Sequence, residues 1–167
     1  MISRYFLALW LALAALPVNA AGVGGMFGAG RTQFSLVAGN AYAFDYSYFV
    51  IGGSVSYYLA DGLGVGLSLE NWSGDGPGIT KYSPFVQYVF HQVPVVQPYL
   101  GGFYRRTEIE GLPGIGSTGA RAGVMLATGA NAYVSFGVVY EAYQDCQEAL
   151  YRVCSETNPE VSIVFAF

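Results

Sequence analysis

Apolar residues alternate with small or polar ones along most of this chain, in runs of about ten residues separated by links containing Gly, Ser, Pro or Asp. Leu63, Val65, Leu67 and Leu69 share one face of such a run, and Gly64, Gly66, Ser68 and Glu70 share the other. A period of two marks a strand whose faces meet different surroundings. Phe49, Ile51, Val55, Tyr57 and Leu59 stand in the same way against Tyr48, Gly52, Ser54, Ser56 and Tyr58. A third case sets Val134, Phe136, Val138 and Tyr140 against Tyr133, Ser135, Gly137 and Glu141. The pattern predicts eight strands, near residues 31–40, 47–59, 63–72, 81–91, 97–108, 119–127, 132–143 and 159–167. In 97–108 the adjacent Phe103, Tyr104, Arg105 and Arg106 leave the facing open.

The links alternate as well. Ala60-Asp61-Gly62, Gln92 to Val96 and Thr128 to Asn131 are short; Ser73 to Gly78, Glu110 to Thr118 and Gln144 to Asn158 are longer and rich in Gly, Ser, Pro and acids. Short turns on one rim, long loops on the other and an even strand count describe a transmembrane barrel, with both mature ends on the periplasmic side. The last seven residues agree. Val161, Ile163, Phe165 and Phe167 alternate up to the final residue, an apolar edge that invites aggregation in water. At the other end, Arg4 precedes an apolar stretch from Tyr5 to Leu16, then Pro17 and small residues up to Ala20. That is a secretory signal peptide over 1–20, with cleavage after Ala20; its apolar part is shorter than the roughly 20 residues of a spanning helix. Gly22 to Gly30 lacks any period and reads as a flexible periplasmic lead-in within 21–30, followed by the barrel over 31–167.

These features resemble the small eight-stranded bacterial outer-membrane barrels of the OmpX and OmpW kind, across essentially the whole mature chain. The resemblance implies an all-β, antiparallel up-and-down transmembrane barrel in the outer membrane of a Gram-negative cell. It also implies that Val161, Ile163, Phe165 and Phe167 form the signal read by the barrel-insertion machinery. The OmpA kind adds a peptidoglycan-binding domain; this chain ends at Phe167.

Composition narrows the function. Charged residues make up 11% and aromatics 16%, where a soluble domain carries about 25% charge. A soluble lipocalin-type barrel needs a polar outer face, and the weak faces here are mostly Gly, Ser and other small residues. Removing Arg4 from seven basic residues leaves six against eleven acids, a net charge of −5. An acidic balance without a basic run argues against nucleic acid; the expected surroundings are membrane lipid and lipopolysaccharide.

The interior of an eight-stranded barrel is just wide enough for side chains. Glu70, Arg121, Glu141 and Glu160, with Arg105 as a possible fifth, are therefore expected to meet inside, ringed by Ser54, Ser56, Ser68, Gln87, Ser135 and Ser162. A charge there needs a partner. An Arg121–glutamate cluster supplies one and holds the barrel closed; the competing reading is a selective ion path. Cys146 and Cys154 in the last loop are expected to form a disulfide, contributing about 2–3 kcal/mol to loop order. Two thiols without further ligands make a poor metal site, and no cofactor is expected. Enzymatic readings are weak: Ser83 lies about 25 Å along the strand from His91, the only histidine. A palmitoyltransferase-like lipid pocket leaves little sequence trace. Tyr42, Phe44, Tyr46, Tyr48, Trp72, Tyr82, Tyr104, Tyr140 and Tyr143 suit an upper aromatic girdle, and Tyr88, Phe90, Tyr99 and Phe167 a lower one. The expected protein is not an enzyme and acts structurally or through its outer loops. A transporter of small hydrophobic molecules and a lipid-modifying enzyme are the alternatives.

Overall fold

In the computed structural model, residues 25–43, 45–92, 95–128, 131–144, 146 and 154–167 are described. Residues 1–24, which include the expected signal peptide, Phe44 and most of the last loop lie outside them. Eight strands follow in order: β1 (Thr32–Ala43), β2 (Tyr46–Ala60), β3 (Leu63–Gly74), β4 (Ile79–Val89), β5 (Val96–Ile109), β6 (Ile115–Ala127), β7 (Ala132–Tyr143) and β8 (Ser155–Ala166). Each pairs antiparallel with its sequence neighbour, and β1 with β8 closes the barrel.

Period-two alternation sets the two faces. Leu36, Phe49, Ile51, Leu67, Leu69, Leu100, Val138, Val161 and Ile163 all point outward and are half exposed or more. An outer surface this apolar, running round every side of the barrel, matches hydrocarbon and not water. Inside lie Gln33, Ser56, Ser68, Ser83, Gln87, Arg105, Ser117, Ser135 and Glu141, all buried. Phe103 settles the open facing of β5: with Phe103 buried, Arg105 points inward and Arg106 outward.

Several strands run longer than the alternation indicates. β8 starts at Ser155, not 159, so Glu156 belongs to a strand and not to a loop. β6 starts at Ile115, not 119. β1 and β2 extend until only residues 44–45 separate them, with Asp45 in the left-handed region (φ 64°) that a short polar side chain tolerates. The contrast between the rims therefore rests on segment 144–154, the links after β3 and β5 shrinking to residues 75–78 and 110–114. At its base, Cys146 and Cys154 form a disulfide with Cα atoms 5.5 Å apart.

The lead-in also differs from a loose tether. Residues Gly25–Phe27 form a 3-10 turn that puts Phe27, only 1% exposed, into the lower mouth. Its ring meets Tyr58 and Tyr133 edge-on at 5.7 and 5.2 Å. The Gly62 N–H donates to the Phe27 carbonyl, the Gly30 N–H to the Tyr58 carbonyl, and the Ala29 N–H to Asp61 Oδ1.

Many residues on the weak faces are glycines because rings sit on them. A Cβ at Gly119 would lie 2.3 Å from Phe103 Cζ and 2.4 Å from the Tyr140 carbonyl oxygen. Gly137 leaves the space taken by the Tyr99 hydroxyl, 2.4 Å from where its Cβ would be. Overpacking predicts that Gly119→Val destabilises the barrel by about 1–3 kcal/mol, read as a lower urea midpoint in lipid vesicles. An unchanged midpoint would mean that the ring is not seated there.

Candidate functional site

The lumen is filled in tiers. Lowest is an aromatic seal of Phe27, Tyr58, Val89, Tyr99, Met125, Tyr133 and Val164. Directly above it, Gln33 Oε1 accepts hydrogen bonds from Tyr58 Oη (2.7 Å), Gln87 Nε2 (3.1 Å) and Ser56 Oγ (3.2 Å). Phe85, Phe103 and Val139 pack as a second apolar tier. Near the outer mouth, Tyr48, Ile79 and Ile109 form a third, with Trp72 and Ile115 against them.

Between the upper tiers sits the ionic centre, and its hub is Arg105. Nε donates to Ser83 Oγ at 2.9 Å and Nη1 to Glu141 Oε2 at 2.6 Å, while Nη2 lies 3.6 Å from Glu70 Oε1. Ser117 donates to the other Glu141 oxygen, and Trp72 Nε1 to Glu70 Oε2. Both lone-pair sides of the Glu141 carboxylate are thus engaged, as a buried ion requires. The arrangement follows from strand parity. Arg105 on β5, Glu141 on β7 and Glu70 on β3 all take inward positions at similar height, and the β4–β5 ladder skips Ser83 and Pro84, the proline lacking a donor.

Arg121, expected to anchor this cluster, does so only loosely. It lies 3.7 Å from Glu160 and is sandwiched by the Phe85 and Phe103 rings at 5.2 Å each, and its Nε finds no hydrogen-bond partner among the described residues. The five residues therefore fall into two groups: Arg105 with Glu70 and Glu141, and Arg121 with Glu160. Several polar members were not anticipated, among them Ser83 and Ser117 of the ionic centre. Gln33 and Lys81 sit at inward positions of β1 and β4, which the period of two could have revealed. Glu156 accepts from Tyr143 Oη once β8 is extended. Lys81 Nζ lies 3.9 Å above the Trp72 ring.

The girdle also needs correction. Tyr48 and Tyr99 are buried in the lumen, and Trp72 and Tyr143 face inward with them. Tyr46, Tyr82, Tyr104, Tyr140, Phe90 and Phe167 remain on the outside. A narrow barrel needs ring volume inside, and a Tyr or Trp that finds a polar partner can supply it.

One side of the wall is open. Thr32 and Phe167 exchange both backbone hydrogen bonds, and the β1–β8 ladder then runs only to Leu36 opposite Ile163. Above that level β1 stays paired with β2, and β8 with β7, but not with each other. Reciprocal pairs alternate in an antiparallel ladder, so the next outward-bonding positions are Ala38 with Val161, then Asn40 with Pro159. Pro159 has no N–H to give Asn40, which fits the rule that Pro sits on free strand edges. Behind this slot lies a cavity of about 500 Å³ that borders Glu70, Lys81, Arg121, Glu156 and Glu160 and reaches down to Gln33, Tyr99 and Met125 at the aromatic seal. No cluster of three metal-ligating side chains occurs among the described residues.

No known family model and no curated protein matches the chain. Among solved structures it is similar to the N-terminal β-barrel domain of Pseudomonas aeruginosa OprF, with a TM-score of 0.66 and 16% identity over 84% of this chain and 99% of that one. It is also similar to Neisserial surface protein A (NspA), with a TM-score of 0.54 and 16% identity over 82% of this chain and 96% of that one. The fold is that of the small bacterial outer-membrane barrels.

Removing one partner of a buried ion pair costs far more than removing a loose one. Glu141→Ala should lower stability by about 3–5 kcal/mol, whereas Glu160→Ala should cost about 1 kcal/mol or less. Urea titrations in vesicles, followed by Trp72 fluorescence, compare the two; equal losses would refute Arg105 as the hub.

Proposed function

We propose that the chain is an outer-membrane barrel that does not conduct and that acts structurally or through surface contacts of its outer rim. The observation that carries this reading is the tiered lumen: the Arg105–Glu141–Glu70 centre lies between apolar tiers, above the Gln33 hub and the aromatic seal around Phe27. The cavity behind the slot reaches down to Gln33, Tyr99 and Met125, so a through-path would have to part the ring contacts of the aromatic seal beneath them. The disulfide at the base of segment 144–154 supports a surface role, because it fixes the ends of the longest outer link. Lipopolysaccharide and the insertion machinery are the surroundings that the outward belt and the terminal strand fit. Among the described residues no arrangement of nucleophile, base and orienting group supports an enzymatic reading: Ser83 is bound to Arg105 inside the lumen, far from the rim where His91 sits.

A second reading is favoured by the open β1–β8 slot, which suits a lateral route between the upper lumen and the bilayer for small hydrophobic molecules. The two readings separate in one experiment. Planar bilayers or swelling vesicles containing the protein should give ion and sugar permeation equal to that of empty membranes. Stepwise conductance would contradict the sealed lumen. Uptake of a small apolar dye without ion conductance would favour the lateral route.

A further inference from the structure

The slot above Leu36 and Ile163 raises a chemical question that a closed barrel does not. Backbone N–H and C=O groups facing hydrocarbon must find partners, because lipid tails offer none. The Ala38 and Asn40 positions of β1, and Val161 and Pro159 of β8, turn such groups towards one another across the opening. Alkyl chains alone cannot satisfy them. Whatever occupies the slot therefore needs a hydrogen-bonding end as well as an apolar one.

The polarity of the slot selects that end. Pro159 presents a carbonyl with no N–H beside it, so acceptors outnumber donors on the β8 edge. Glu156 and Glu160, each two residues from Asn158 on that strand, add carboxylates to it. The cavity behind is lined by four carboxylates, Glu70, Glu141, Glu156 and Glu160, against three cations, Lys81, Arg105 and Arg121. Glu70 and Glu141 share Arg105, and Glu160 is held by Arg121 only at 3.7 Å. One negative charge is in excess, beside the opening, at an edge short of donors.

We propose that this slot binds a single-chain amphiphile whose head is a protonated primary amine. The ammonium, with three donors and no acceptor, sits between Glu160 and the Pro159 carbonyl, with the Glu156 carboxylate about 13 Å further along the strand adding to the negative potential. Its alkyl chain leaves between Ala38 and Val161 into the bilayer. The cavity of about 500 Å³ accommodates a head and the first methylenes, within the usual range of about 300–1,000 Å³ for ligand sites. The proposal rests on the slot facing lipid, as the lateral-route reading does, but requires binding only, not passage.

Trp72 lines the cavity and is the sole tryptophan after residue 20, so it reports occupancy. The protein is refolded in phosphatidylcholine vesicles at pH 7 and titrated with dodecylamine brominated on its chain. Equally brominated dodecanoate and dodecyltrimethylammonium are run in parallel. Saturable quenching by the amine is expected, about tenfold tighter than by the acid, as one or two charge-assisted hydrogen bonds would give. The trimethylated head, lacking N–H donors, should fall between them. The paired variant Glu156→Gln with Glu160→Gln should weaken amine binding about tenfold. A second variant, Ala41→Cys with Asn158→Cys, bridges positions that the continued register places opposite each other. Once oxidised it should abolish the quenching, and its reduced form should restore it, with wild type treated identically as control. Heat-modifiable mobility on gels verifies that each variant is folded. Equal affinity for all three heads, quenching that only rises linearly, or an insensitive oxidised variant would overturn the proposal. Tighter binding of dodecanoate would overturn it too, making Arg121 the anchor. Amine binding without dye uptake would retain this site while rejecting the lateral route.

Discussion

The strand count is the constraint from which the rest follows. Eight strands enclose a space about one side chain wide, so most inward polar groups must find their partners on one another. Once hydrocarbon takes the outer face, the charged residues of the membrane-level strands are driven into that space. Arg105 then needs more than one acceptor, and finds the Ser83 hydroxyl on the adjacent β4 and, across the lumen, Glu70 on β3 and Glu141 on β7. The rings need volume, and the glycines at 119 and 137 provide it. Composition, burial and closure are consequences of the same geometry.

The outer faces were readable from the sequence because a period of two leaves little room for doubt when one face is Leu, Val, Ile and Phe. The lumen was harder. Arg105 and Arg106 are adjacent, and only the parity of β5, fixed by Phe103 and Tyr99 pointing inward, decides which one is buried. Arg121 stood at a plain inward position and so looked like the hub, yet its neighbours on β5 and β4 are the Phe103 and Phe85 rings, not carboxylates. Tyr48, Trp72 and Tyr99 were misread as girdle residues because an aromatic near a strand end suits either face. Phe27 carries no periodic signal at all; its burial depends on the turn at Gly25–Phe27 and on a mouth lined by Tyr58 and Tyr133.

The seam shows how a single residue type shapes a closed sheet. Pro159 was visible in the sequence, but its effect depends on which neighbour its missing donor would have faced. The reciprocal bonds between Thr32 and Phe167 fix that direction towards β1. The lower seam is zipped and capped by the aromatic seal, while the upper seam is open and backed by polar groups.

The most direct measurement is site-directed spin labelling along β3 in vesicles, with single nitroxides at positions 65 to 70 probed by oxygen and by a water-soluble nickel chelate. Positions 65, 67 and 69 should be accessible to oxygen but not to the chelate, 66 and 68 should be shielded from both, and 70, which borders the cavity, should be less accessible to oxygen than 69. Chelate access at 66 and 68 would reveal a water-filled interior, and chelate access at 65, 67 and 69 would show that lipid does not cover the outer face.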